Sequence, residues 1–260
     1  MRERPALGRH RMGGYVPRTA LEDLLRLTSA PVAISFTDEP PSGVPHVSAV
    51  EPAGCGYWRR AADGEAFYTV ADDHKRCPVG AHTHHVELSP AEQQELMSLV
   101  GTMVGLSYLK MEEVPAIPRR RTPLRVATYT PLADAPAPPD VVLVRGNARQ
   151  LMLLAEAAQA AGVAGTGATI GRPTCAVLPE AINSDRTAAS FGCVGNRVYT
   201  GAGENDAYFA IPGSHLATIE AQLAVIVRAN DALETFHRQR AAAGAEGARF
   251  VMIWPDGRAS

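Results

Sequence analysis

The sequence predicts a single α+β domain, in which a mixed β-sheet is packed by helices, over residues 18–243. Three observations carry this reading. Asp140-Val141-Val142-Leu143-Val144 is a continuous apolar run, the mark of a strand buried on both faces. Asn147 follows at once, with Gln150 three residues later, and caps a helix that runs to Gly162. From Ser214 onward Leu216, Ile219, Leu223, Ile226, Val227 and Leu233 fall on one side of a long final helix, which is expected to pack across the sheet over 214–238. A chain of 260 residues is long enough to bury a substantial core.

The remaining elements follow in order. Residues 1–17 read as a loose arm and 244–260 as a tail. Thr19 and Glu22 form a capping box before a short helix carrying Leu21, Leu24 and Leu25. Val32 to Phe36 and Ala66 to Val70 read as strands, with a Pro/Gly-rich loop at 40–45. Ser89 and Glu92 form another capping box, with Pro90 at the first helical position and Leu96, Leu99, Val100, Met103 and Val104 at helical spacing. Residues 115–123 are a proline- and arginine-rich connection, Arg125 to Tyr129 is a strand, and 133–139 is a rigid loop. Gly165 to Pro173 is a glycine-rich loop, and strands are expected near 175–178, 188–192 and 207–211. With strand 140–144 at its centre, the sheet unites the chain into one unit.

Composition narrows the function classes. Apolar residues make up 46% and charged residues 20%, the balance of a folded soluble domain. A net charge near −2 gives no bulk attraction to nucleic acid or to an anionic membrane. No apolar run reaches the roughly 18 residues of a membrane span, and the basic N-terminus is not followed by an apolar secretory segment. The expected compartment is the cytoplasm, where four cysteines read as free thiols or metal ligands rather than disulfides. Of 25 basic residues only Lys75 and Lys110 are lysines, so single arginines carry less weight than usual.

The cysteines are Cys55, Cys77, Cys175 and Cys193, and none forms a CxxC pair. Each lies beside residues that relax the backbone: Gly54-Cys55-Gly56, Cys77-Pro78-Val79-Gly80, Pro173-Thr174-Cys175 and Gly192-Cys193-Val194-Gly195. Four thiolates match the ligand count of zinc or an iron–sulfur cluster, and Cys175 and Cys193 are expected within reach of one bound group. Gly192 and Gly195 are read as a sharp bend around Cys193, which Asn196 fits because asparagine tolerates left-handed backbone. A strand after the bend would put Arg197 and Tyr199 on one face of a pocket, the arginine holding an anion or pairing with Glu204 or Asp206.

Between His74 and His85 lie four histidines and Cys77. His82 and His84 would share a strand face, and His82 and His85 a helix face, so the run is either a metal-ligating set or a solvated turn. Other signatures are missing: there is no HExxH, no GxSxG and no GK[ST], and the glycine-rich stretch 162–171 follows a helix rather than linking strand to helix.

Several of these pieces occur together in a recognisable order: Pro31-Val32-Ala33-Ile34, Cys77 in a glycine-containing turn, Pro139 to Val144, Pro173-Thr174-Cys175-Ala176, Ser190 to Arg197, and Ala210-Ile211-Pro212-Gly213. The chain resembles the bacterial and archaeal family called domain of unknown function 169, over about residues 20–240. The resemblance implies one domain, and a shared site near Cys77, Cys175 and Cys193. It brings no activity with it and does not extend to the histidines at 82–85.

The expected function is binding of an iron–sulfur cluster or zinc through Cys77, Cys175 and Cys193, with Cys55 as fourth ligand. Two other classes stay open. One is a thiol-dependent enzyme with Cys193 as nucleophile. The other is a non-catalytic module that binds a small anionic molecule through Gly192, Gly195, Arg197 and Tyr199. The expected partners are a small molecule or metal, with no nucleic acid and no membrane. Whether the chain is an enzyme, and whether it forms a homo-oligomer, is not set by the sequence.

Overall fold

The computed structural model describes residues 19–165 and 172–245. The expected arm at 1–17, most of the loop at 165–173 and nearly all of the tail at 244–260 lie outside those residues. Six strands form one sheet: β1 (Val32–Thr37), β2 (Phe67–Val70), β3 (Val126–Pro131), β4 (Val141–Gly146), β5 (Ala188–Ser190) and β6 (Ala207–Pro212). Their order is β2-β3-β1-β4-β6-β5, which puts β1 and β4 in the middle. The expectation of a central strand at 140–144 holds. Val141 to Val144 are each no more than 2% exposed, and burying such a side chain stabilises by about 1.5–3 kcal/mol.

All five strand pairings are antiparallel. The expected mixed sheet therefore reduces to a single parallel bridge, between His46 and Tyr68. The apolar run of β4 is explained by helices on both faces rather than by parallel pairing. Register sorts the side chains between those faces. Ile34 lies opposite Tyr129 and Val141, and these residues join Leu143, Tyr208 and Ala210 in one core. Ala33, Val142, Val144, Phe209 and Ile211 point the other way into a second core.

The second core is covered by α1 (Ala20–Leu25), α5 (Ala148–Ala160) and α8 (Leu216–Ala245). Asn147 caps α5 as expected, its side chain accepting from Gln150 N at 3.0 Å. Thr19 departs from the expectation: its hydroxyl donates to the Glu22 carboxylate at 2.8 Å instead of capping the α1 backbone. In α8, Leu216, Ile219 and Leu223 are buried, whereas Leu233 is 55% exposed because the last turns run past the body. No helix of the described residues is long and apolar enough to cross a membrane.

The first core is roofed by short helices: α2 (Cys55–Ala62), α3 (Pro78–Thr83), α6 (Val177–Ser184) and α7 (Val194–Thr200). A longer α4 (Pro90–Gly105), with the expected Ser89–Glu92 capping box, packs beside α3. Two expectations fail here. The strand near 175–178 is a turn of 3-10 helix (Thr174–Ala176) leading into α6, and the strand expected to carry Arg197 and Tyr199 is α7. Apolar runs this short fit a buried helix as well as a strand, and packing decides between them.

Candidate functional site

The four cysteines come from four short helical segments on one face of the sheet. Cys77 is the N-cap of α3, with Pro78 at the first helical position, and its sulfur accepts from Gly80 N at 3.3 Å. Cys193 is the N-cap of α7, and its sulfur accepts from Asn196 N at 3.4 Å. Cys55 is the first residue of α2, after Gly54. Cys175 lies in the 3-10 turn that enters α6. Each thiol thus stands where a helix leaves backbone N–H groups unpaired, the end that favours negative charge. All four thiols are free; Cys55 and Cys175 are buried and Cys77 and Cys193 half-buried.

The thiols act on one another electrostatically. Burial pushes Cys55 up to about 12, and the neighbouring Cys77 and Cys193 push in the same direction. Burial also lifts Cys175 well above the ordinary thiol value, reinforced by Cys77, Cys55 and Cys193. The segments of Cys175 and Cys193, expected together from sequence, meet through Thr174, whose hydroxyl accepts from Cys193 N.

Two glycines shape the approach. A Cβ on Gly80 would lie 3.0 Å from the Cys77 sulfur, closer than such contacts normally come, and 3.8 Å from Gly54 N. Gly192 has φ +84°, and a Cβ there would stand 3.2 Å from Asn196 Oδ1. The expected bend before Cys193 is therefore at Gly192. Gly195 is a helical residue of α7 without positive φ, so the two-glycine bend is corrected to one.

Polar side chains line the thiols. Thr174 Oγ1 accepts from Cys193 N at 2.5 Å. Thr83 stands beside Cys175, where it favours the thiolate. Asn196 is 1% exposed, and neither amide atom has a hydrogen-bond partner. Its side chain lies beside the Cys55 thiol, near enough to favour the thiolate but short of a formed hydrogen bond. Sequence reading took Asn196 for a turn residue. The signal that could have corrected this is the Cys-x-x-Asn spacing, which matches Cys-x-x-Gly at Cys77.

Arg197 and Tyr199 do not share a face, because two helical positions are turned about 200° apart. The Arg197 guanidinium donates to the backbone carbonyls of Phe191 and Gly203, and to Asp206 O at 3.2 Å. It ties the ends of α7 to the neighbouring loops, in place of the expected anion or carboxylate pairing. Tyr199 is 47% exposed on the outer side of α7, near Phe191, Val194 and Val198.

The histidines do not act as one set. His82 is half-buried, and burial lowers its pKa. His85 Nδ1 donates to the Arg120 carbonyl at 2.9 Å. His84 is fully buried, its Nδ1 against Gly80 O at 2.9 Å, and its ring stacks on His74 with centroids 5.4 Å apart. Among the described residues no group of three or more His, Cys, Asp or Glu side chains is arranged to hold a metal ion.

The family comparison agrees with this frame. The model of the domain of unknown function 169 family, described as uncharacterised ArCR, matches residues 20–222, and the chain belongs to that family. No curated protein matches the chain, and no solved structure does.

Proposed function

We propose that this chain binds an iron–sulfur cluster through Cys55, Cys77, Cys175 and Cys193. The observation that carries the reading is that four cysteines from segments up to 138 residues apart (193 − 55) stand at helical N-termini that meet one another: Cys193 N donates to the hydroxyl of Thr174, next to Cys175, and Gly80, in the Cys77 turn, lies against Gly54, next to Cys55. Buried thiols that raise one another's pKa are costly to ionise alone, and a cationic iron centre offsets that cost. In a [4Fe–4S] cluster each iron takes one thiolate, so the ligands stand further apart than those of a single tetrahedral ion.

A bound cluster would supply one-electron storage. The chain's own part is to exclude water and hold the thiolates. Gly80 N–H and Asn196 N–H point at two of the sulfurs, Asn196 and Thr83 flank the other two, and such contacts raise a cluster's potential. Zinc is the second occupant of the same thiolates. Free thiols fit the reducing cytoplasm the reading assumes.

The test is anaerobic purification or reconstitution, followed by iron, sulfide and zinc analysis. Stoichiometric iron and sulfide, lost in Cys175→Ser and in Cys55→Ser, supports the cluster. Stoichiometric zinc without sulfide replaces it with the ion. A folded protein that takes up neither overturns both. The half-buried position of Cys193 at the α7 N-cap favours a second reading, a nucleophilic thiol. Rapid and selective alkylation of Cys193 in metal-free protein is its signature.

A further inference from the structure

Beside the thiols, on the same face of the sheet, lies a group of buried polar atoms that the cysteine site does not use. Four side chains contribute one atom each without a hydrogen-bond partner: His74 Nδ1, His84 Nε2, Tyr129 Oη and Arg120 Nη1. His74, His84 and Tyr129 are each no more than 1% exposed. Leaving a buried polar atom unpaired costs about 1–3 kcal/mol, so four in one place mark a requirement other than stability.

The four are neighbours. The Arg120 guanidinium lies 3.8 Å over the ring of Phe36, whose centroid is 6.2 Å from that of His84. His84 stacks on His74, and His74 is 6.4 Å, centroid to centroid, from Tyr129. Phe36 and Arg120 are half-buried, whereas the two histidines and Tyr129 are buried. Arg120 is fixed there by its backbone, with its N–H on Thr83 O at 2.9 Å and its carbonyl on His85 Nδ1 at 2.9 Å. Among the described residues no carboxylate stands at ion-pair distance from its guanidinium, although that of Asp140 is near enough to act on it; Nη2 donates to Thr122 Oγ1 at 3.1 Å and Nη1 is left over.

The proton of His84 is fixed by its partner. Gly80 O only accepts, so His84 Nδ1 carries the proton and Nε2 presents a lone pair. His74 Nε2 meets the Thr69 hydroxyl at 2.8 Å, and the same hydroxyl lies 3.3 Å from Ala127 O, while His74 Nδ1 is the nitrogen left unpaired. Burial keeps both imidazoles neutral. The site therefore offers a cationic donor and a phenol donor, and a neutral acceptor at His84 Nε2 with the unpaired His74 Nδ1 on the neighbouring ring.

We propose that Arg120, Tyr129, His84 and His74 form a binding site for a small oxyanion that retains an O–H group, the hydrogencarbonate and hydrogenphosphate class. The anionic oxygens face Arg120 Nη1 and Tyr129 Oη, and the O–H donates to an imidazole lone pair. Fully deprotonated anions meet the same guanidinium but leave the imidazoles unpaired, which gives the site its selectivity. The proposal does not rest on metal at the cysteines.

The test is isothermal titration of the full chain at neutral pH with hydrogencarbonate and with inorganic phosphate, against nitrate, which lacks an O–H. Saturable binding of at least one of the first two is expected, about ten-fold or more tighter than nitrate, with a shift of an imidazole 15N resonance. Arg120→Met should weaken it by about ten-fold or more, and Tyr129→Phe, which keeps the ring packing, by a smaller factor. The same affinity is expected in metal-free protein, which separates this site from metal at the thiols. No saturable binding of either probe, equal affinity for nitrate, or wild-type affinity in folded Arg120→Met overturns the proposal. If Arg120→Met does not fold, Tyr129→Phe and the nitrate comparison decide it.

Discussion

Two glycines flank Cys193, and replacing each with alanine should move stability in opposite directions. Gly192 holds φ +84°, where an L residue is strained by about 1–2 kcal/mol. Its new Cβ would also meet Asn196 Oδ1 at 3.2 Å, forcing a small shift in that side chain, and make an ordinary contact with the Arg197 guanidinium at 3.5 Å. Together these effects should destabilise Gly192→Ala by about 1–3 kcal/mol, or roughly 2–8 °C in Tm for a domain of this size. Gly195 lies inside α7, and a Cβ there would make an ordinary contact 3.7 Å from the Tyr199 ring. Removing its backbone entropy should stabilise Gly195→Ala by about 0.5–1 kcal/mol. Urea unfolding of the two variants in metal-free protein measures both values. Gly192→Ala should also lower metal uptake, because the Asn196 side chain it displaces stands beside Cys55. Changes of the same sign at both positions would refute the assignment of the bend to Gly192.

Three further outcomes are expected. Cys55 and Cys175 should resist iodoacetamide in the native metal-free protein while half-buried Cys77 and Cys193 react; mass spectrometry of the peptides checks this, and early labelling of Cys175 would contradict its burial. Burial holds His74 and His84 neutral, His84 down at about 4, so below about 6.5 the unfolded chain binds more protons; stability should fall as pH drops from about 6.5 toward 4, by up to about 1.4 kcal/mol per pH unit for each histidine, and His84→Gln should flatten that slope in urea titrations. Leu154 is fully buried between the sheet and α8, so Leu154→Ala should cost about 2–5 kcal/mol without changing metal content, and a loss of under 1 kcal/mol would refute that packing.

Much of the scaffold was legible in the residues because it rests on local chemistry. Ser89 and Asn147 announce α4 and α5 through side chains that cap their own helices, and the Val141–Val144 run needs no partner to be read as a doubly covered strand. The order of motifs from Pro31 to Gly213 was enough to indicate the family, which the match over residues 20–222 shows. What the tertiary structure alone decided concerns short segments and long-range meetings. Val194–Thr200 is seven residues with little intrinsic preference, and it becomes a helix because Cys193 and Asn196 cap it and Arg197 ties its ends to the carbonyls of Phe191, Gly203 and Asp206. Residues 175–178 turn helical as they bury Cys175, Val177 and Leu178 in the first core at the start of α6. The convergence of Cys55, Cys77, Cys175 and Cys193 depends on strand order and on which face each connection crosses, and no spacing along the chain encodes that. The same holds for Arg120, which sequence reading placed in a connection: only the β1–β3 pairing, which sets Phe36 and Tyr129 on one face, gives its guanidinium a ring to lie on and buried neighbours to serve.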